Sequence, residues 1–103
     1  MKMASDAARA RAHYGQAEAF FTDRLATMPA TTDEDLLRRS TIMIDLGAFY
    51  AARGRPLPAR EQYEAAAAIR ERIIGDADPT LVELQGKIAN TYSLAGEVDE
   101  ARR

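Results

Sequence analysis

The sequence predicts an all-α fold built of antiparallel helix pairs, and three observations predict it. Alanine is the commonest residue, tryptophan is absent and β-branched runs are scarce, a composition that favours helix over sheet. Apolar residues recur at helical spacing between glycine and proline punctuation. A stretch of the chain also matches itself 42 residues later, Leu46-Gly47 returning as Ile88-Ala89, and a period of that size marks stacked helical units. With 103 residues there is room for one small domain with a modest core.

The elements follow in order. The segment 4–27 reads as a helix whose apolar end is Phe20, Phe21 and Leu25. Met28-Pro29 stops it, because the residue before proline avoids the α region. "ATTDEDLL" restarts a helix over 33–53, with Thr31 and Glu34, or Thr32 and Asp35, as its capping box. Leu36, Leu37, Met43, Leu46, Phe49 and Tyr50 give it an apolar face. Gly54 ends it. In "RPLP" the prolines suit a first helical turn, where backbone N–H groups lack partners anyway, so a helix is expected over 57–74; a proline-rich ligand is the alternative reading of the same letters.

"GDADPT", 75–80, poses a sharper choice. Asp76 and Asp78 resemble the start of a calcium loop. Counted from Asp76, however, the sixth position is Leu81 instead of glycine and the twelfth is Lys87 instead of a carboxylate. The pattern fits better as a helix stop at Gly75, an N-cap at Asp78 and Pro79 in the first helical position. Helices are then expected over 79–95 and, after a turn at Gly96, over 98–103.

Other chemistry is thinly supplied. The net charge of −2 gives no general pull toward nucleic acid or anionic membrane, and Arg9, Arg11, Arg24, Arg60, Arg70 and Arg72 are interleaved with acids. Without cysteine there is no disulfide, thiolate metal site or cysteine nucleophile. His13 is the only histidine, so it alone could serve a histidine ligand or triad; an exposed helix residue is the simpler reading. "GKI" at 86–88 departs from a phosphate loop, with Leu81 where the first glycine belongs and Ile88 where Ser or Thr belongs. No apolar stretch approaches a membrane span, and the start lacks a secretory signal's apolar segment, so a cytoplasmic protein is expected, with no metal and no cofactor.

The repeat is detailed. "DLGAFYAARG" matches "KIANTYSLAG", Tyr50 matches Tyr92, Gly54 matches Gly96, and Ala59-Arg60 matches Ala101-Arg102. A weaker echo pairs Ala17 with Ala59 and Phe21 with Tyr63. A small residue beside a large apolar one lets two helices approach, and an aromatic one turn later fills the gap. Tyr50 and Tyr92 are expected to bury their rings between the helices of their pairs, with Gly47 and Ala89 at the close approach.

On these residues the chain resembles tetratricopeptide repeat (TPR) proteins of the long-repeat type, similar to kinesin light chains and bacterial TPR regulators. The matching positions are Leu46, Gly47, Tyr50, Gly54, Ala59, Tyr63 and Ala66, then Ile88, Ala89, Tyr92, Gly96 and Ala101. The resemblance implies one TPR-like domain over 1–103, a right-handed α-solenoid of about two and a half repeats. Solenoids need roughly three repeats and polar caps, so the chain is expected to be part of a larger array or to meet another chain.

The resemblance also implies a concave groove lined by the first helix of each pair. Its candidate residues are Thr41, Ile44, Asp45 and Ala48 in one pair and Glu83, Lys87, Asn90 and Ser93 in the next, with Gly86 on the same stripe. Asn90 stands out, since an amide can pair with both groups of a peptide backbone. The function so implied is a non-catalytic interaction module that binds a protein or peptide, not nucleic acid or membrane. The alternative is a self-assembling helical protein that forms homo-oligomers through its uncapped ends.

Overall fold

The computed structural model describes residues 2–101, with side chains over 8–97, as four helices: α1 (Lys2–Thr27), α2 (Asp33–Ala52), α3 (Pro56–Ile73) and α4 (Pro79–Ala101). There is no strand among the described residues.

The helix ends follow from local chemistry. Thr32 opens α2: its Oγ1 accepts from Asp35 N at 3.0 Å, and Asp35 Oδ2 accepts from Thr32 N at 3.2 Å. Of the two capping boxes the sequence offers, the Thr32–Asp35 pair is the one formed, and Glu34 instead pairs with Arg38 at 3.2 Å. The Thr32 backbone N–H, with further bonds from Thr31 and the Thr32 side chain, holds the Asp35 carboxyl below its usual range. Gly54 closes α2 with φ 71°. Arg55 N donates to Tyr50 O and Gly54 N to Ala51 O, the paired bonds of a Schellman turn. Pro56 and Pro58 fall in the first turn of α3, so "RPLP" is a helix start. Gly75, φ 88°, ends α3. Asp78 then caps α4 by accepting from Thr80 N at 3.0 Å.

The centre of the molecule is the α2–α3 pair. Leu46, Tyr50, Ala59, Tyr63 and Ala66 are buried between these helices, and Leu84 of α4 joins the same cluster. Gly47 makes the approach possible, because a Cβ there would stand 2.6 Å from Tyr63 Cε1. The α1 helix is held by a stripe at i, i+4, i+7, i+11. Phe21 and Leu25 pack on the core, Glu18 accepts from the Tyr50 hydroxyl, and the Tyr14 ring lies under Arg53. The Arg39 guanidinium also donates to Leu25 O at the end of α1. The Cα trace measures 52 × 33 × 16 Å, a slab about two helix layers thick. His13 is exposed on α1.

Two expectations are corrected. The turn expected at Gly96, between helices over 79–95 and 98–103, is not made: α4 continues through Gly96 to Ala101, and 102–103 lie outside the described residues. Gly96 has no positive φ, and no proline follows it to force a break. A glycine inside a helix costs only about 1 kcal/mol relative to alanine. Tyr92 is also not buried; it is 59% exposed. Its counterpart Tyr50 is covered by α3 and α1, whereas among the described residues no helix lies against the Tyr92 side of α4.

Candidate functional site

The expected groove residues sit on two corresponding stripes. On α2, Thr41, Asp45 and Ala48 are exposed and Ile44 is half-buried against the core. On α4, Glu83, Lys87, Asn90 and Ser93 are all exposed, as is Gly86. The α4 stripe is held outward by burial of the opposite side: Leu81, Leu84 and Thr91 are buried and Ile88 half-buried. The two helices meet at one side chain of α3. The Tyr63 ring lies against Gly47 of α2, and the Lys87 ammonium stands 5.9 Å from its centroid. Thr41 Oγ1 bonds back to Leu37 O within its own helix and borders a shallow cleft of about 230 Å³ with Arg24, Met28, Arg38 and Ile42. Among the described residues, Asp45, Glu83, Lys87, Asn90 and Ser93 form no side-chain hydrogen bond or salt bridge.

A second face of α4 is open in a way its counterpart is not. Ser40, Gly47 and Tyr50 of α2 are buried. The residues 42 positions later are Val82, Ala89 and Tyr92, and all three are exposed, Val82 at 65%. The α4 face that corresponds to the helix-packing face of α2 is therefore uncovered. Arg60 lies across its edge, its guanidinium 3.5 Å from the Tyr92 centroid and its Nε donating to Thr91 Oγ1 at 3.0 Å.

Two polar clusters escaped the sequence reading. Arg70 on α3 spans the α3–α4 loop: Nε meets Asp78 Oδ2 at 2.7 Å, Nη2 meets Oδ1 at 3.4 Å, and Nη1 donates to Ser40 Oγ on α2 at 3.2 Å. Ser40 and Asp78 are both buried. The Arg70 guanidinium, helped by the Thr80 N–H, keeps the Asp78 carboxyl below its usual range. So the aspartate that could have read as a metal ligand serves an arginine and a helix cap. Among the described residues no cluster of His, Cys, Asp and Glu could hold a metal ion. The second cluster joins α1 to α2. Tyr50 donates to Glu18, which Arg55 approaches at 3.8 Å, and burial with that bond pushes the Tyr50 hydroxyl up to about 12. Only the acids and arginines themselves were visible in the sequence; their partners lie 8 to 37 positions away, across a turn or another helix.

No helix among the described residues is long and apolar enough to cross a membrane. The Tetratricopeptide repeat family profile matches residues 38–103, which spans the second part of α2, all of α3 and the described part of α4. No curated protein and no solved structure gives a significant match. The helix pair closed by Gly54, the contact between Gly47 and Tyr63 and the family match agree, and the chain belongs to the tetratricopeptide repeat family.

Proposed function

We propose that this chain is a non-catalytic, cytoplasmic interaction module that holds an extended peptide or a partner helix along the exposed stripes of α2 and α4. One observation carries the reading. Polar side chains on the α4 stripe, Glu83, Lys87, Asn90 and Ser93, are exposed and form no side-chain hydrogen bond or salt bridge with a described residue, so their hydrogen-bonding capacity is free for a ligand. At Gly86 on the same stripe, nothing but its chain neighbours and its own helix backbone lies within 4 Å of where a Cβ would stand, which leaves room for a partner's backbone to lie close. Asn90 would pair with the partner's main chain, and Asp45 and Lys87 would set its charge preference.

The test is capture of partners from the source cell by immobilised parent protein, by Asn90→Trp and Gly86→Trp, and by Ala68→Trp as a control on exposed α3. A partner retained by parent and control but lost by both stripe variants supports the groove. A partner captured equally by all four sinks it.

The second reading is homo-oligomerisation, and the exposed Val82–Ala89–Tyr92 face of α4 favours it. These three residues share one helix face at i, i+7 and i+10, and apolar faces left open mark association sites. Sedimentation over a wide concentration range decides: a monomer at every concentration rejects it.

A further inference from the structure

A cleft of about 280 Å³ lies between α1 and the C-terminal end of α2, lined by Tyr14, Gly15, Glu18, Phe49, Arg53 and Arg55. We propose that it is a recognition site for a peptide segment carrying acidic side chains, separate from the α2–α4 stripes.

Three features lead there. The Arg53 guanidinium is stacked 3.5 Å from the Tyr14 centroid and 5.1 Å from that of Phe49. Stacking occupies the flat face of a guanidinium and leaves its N–H donors, which lie in the plane, pointing outward. No described residue accepts from the Arg53 side chain. A donor fork already fixed by two rings loses little further freedom when it meets a carboxylate, which it fits in bidentate fashion.

Arg55 supplies a second cation at the same mouth. Its guanidinium is 5.3 Å from the Tyr50 centroid and only loosely tied to Glu18, at 3.8 Å. Glu18 is already engaged by the Tyr50 hydroxyl. Among the lining residues, two arginines against one committed glutamate leave one positive charge in excess.

Gly15 is the third feature. It stands inside α1, where glycine weakens a helix relative to alanine, and apart from its chain neighbours and the helix's own backbone no atom lies within 4 Å of where its Cβ would be. Packing gives no reason for glycine there. Clearance for a ligand does, since Gly15 lines the cleft wall. The apolar sides offered by Tyr14 and Phe49 suit a peptide's side chains, which a bare anion would not need.

The probe is a fluorescein-labelled Ser-Glu-Glu-Phe-Ser peptide read by fluorescence anisotropy, with Ser-Gln-Gln-Phe-Ser as its neutral counterpart. Saturable binding of the acidic peptide is expected, weakening with salt, at least tenfold weaker for the neutral peptide and for Arg53→Gln and Arg55→Gln. Gly15→Leu should lose binding to the same extent while its circular dichroism shows helix equal to or above the parent's. Asn90→Trp should bind as the parent does, which separates this site from the α2–α4 stripes. No saturable binding, equal binding of the neutral peptide, or full binding by Gly15→Leu overturns the proposal. Displacement of the peptide by equimolar inorganic phosphate also overturns it, in favour of a small-anion site.

Discussion

Gly47 on α2 faces Tyr63 on α3 so closely that a Cβ at Gly47 would stand 2.6 Å from Tyr63 Cε1 and 2.8 Å from Cδ1. The ring is buried and cannot swing aside freely, so the contact sets how near the two helices come.

This contact should invert the usual effect of replacing glycine in a helix. At Gly86, where nothing is near, alanine should stabilise by about 0.5–1 kcal/mol through helix propensity. Gly47→Ala should destabilise despite the same propensity gain, and Gly47→Leu should lose about 1–3 kcal/mol or more. Urea titration of the three variants checks the signs. An unchanged midpoint for Gly47→Leu would show that the helices do not meet there.

The continuity of α4 is tested at Gly96. Because its φ is not positive and no atom crowds it, Gly96→Ala should stabilise by about 0.5–1 kcal/mol. If Gly96 instead makes a left-handed turn, alanine is strained there and the unfolding midpoint falls.

Tyr50 gives the chain an alkaline limit. Its folded value, about 12, lies above the ordinary 10.0. Above pH 10 the unfolded chain can release this proton while the folded chain keeps it, so folding stability is unaffected below pH 10 and declines between about 10 and 12. Denaturation midpoints over pH 9–12 should fall for the parent. In Tyr50→Phe the fall should be smaller, though Tyr63, also pushed up by burial, contributes its own part. Parallel curves for the two proteins would refute the assignment to Tyr50.

Asp78 sets the acid limit by the opposite sign. Its folded carboxyl is held below the ordinary 3.8, chiefly by the bond from Arg70. The stabilisation is therefore complete above the unfolded carboxylate value and is lost as pH falls through the lower folded one. Asp78→Asn should weaken the chain at neutral pH more than any other single carboxylate-to-amide change, and flatten its acid unfolding curve. Equal acid sensitivity in parent and variant would contradict this.

Much of the fold was legible because its signals are local. Thr32 with Asp35, Gly54 with Pro56, and Gly75 with Asp78 and Pro79 each announce a helix end within a few residues, and each is formed. The repeat placed Gly47 at a close approach, where the Tyr63 ring lies. What failed depended on a neighbour. Tyr92 matches Tyr50 letter for letter, but burial needs a helix laid against it, and among the described residues none lies on that face of α4. Gly96 matches Gly54, yet a glycine permits a turn without requiring one. The stripe of Asn90 and Lys87 came from the family resemblance together with helical spacing, and both residues are exposed on α4. The cleft at Arg53 could not be placed in this way, because Tyr14 and Phe49 come together only through the packing of α1 on α2.

The reach of Arg70 has a consequence for how such chains can vary. Loops between helices generally accept extra residues at little thermodynamic expense. Here the segment between α3 and α4 is spanned by one side chain that touches Asp78 at its far end and Ser40 on α2. A residue inserted between Gly75 and Asp78 would carry the carboxylate out of range and leave the guanidinium facing Ser40 alone. It would also rotate the start of α4 relative to α3. Spacing between successive units is thus gauged by a single arginine, and insertions and deletions in this linker are expected to be excluded where substitutions are tolerated.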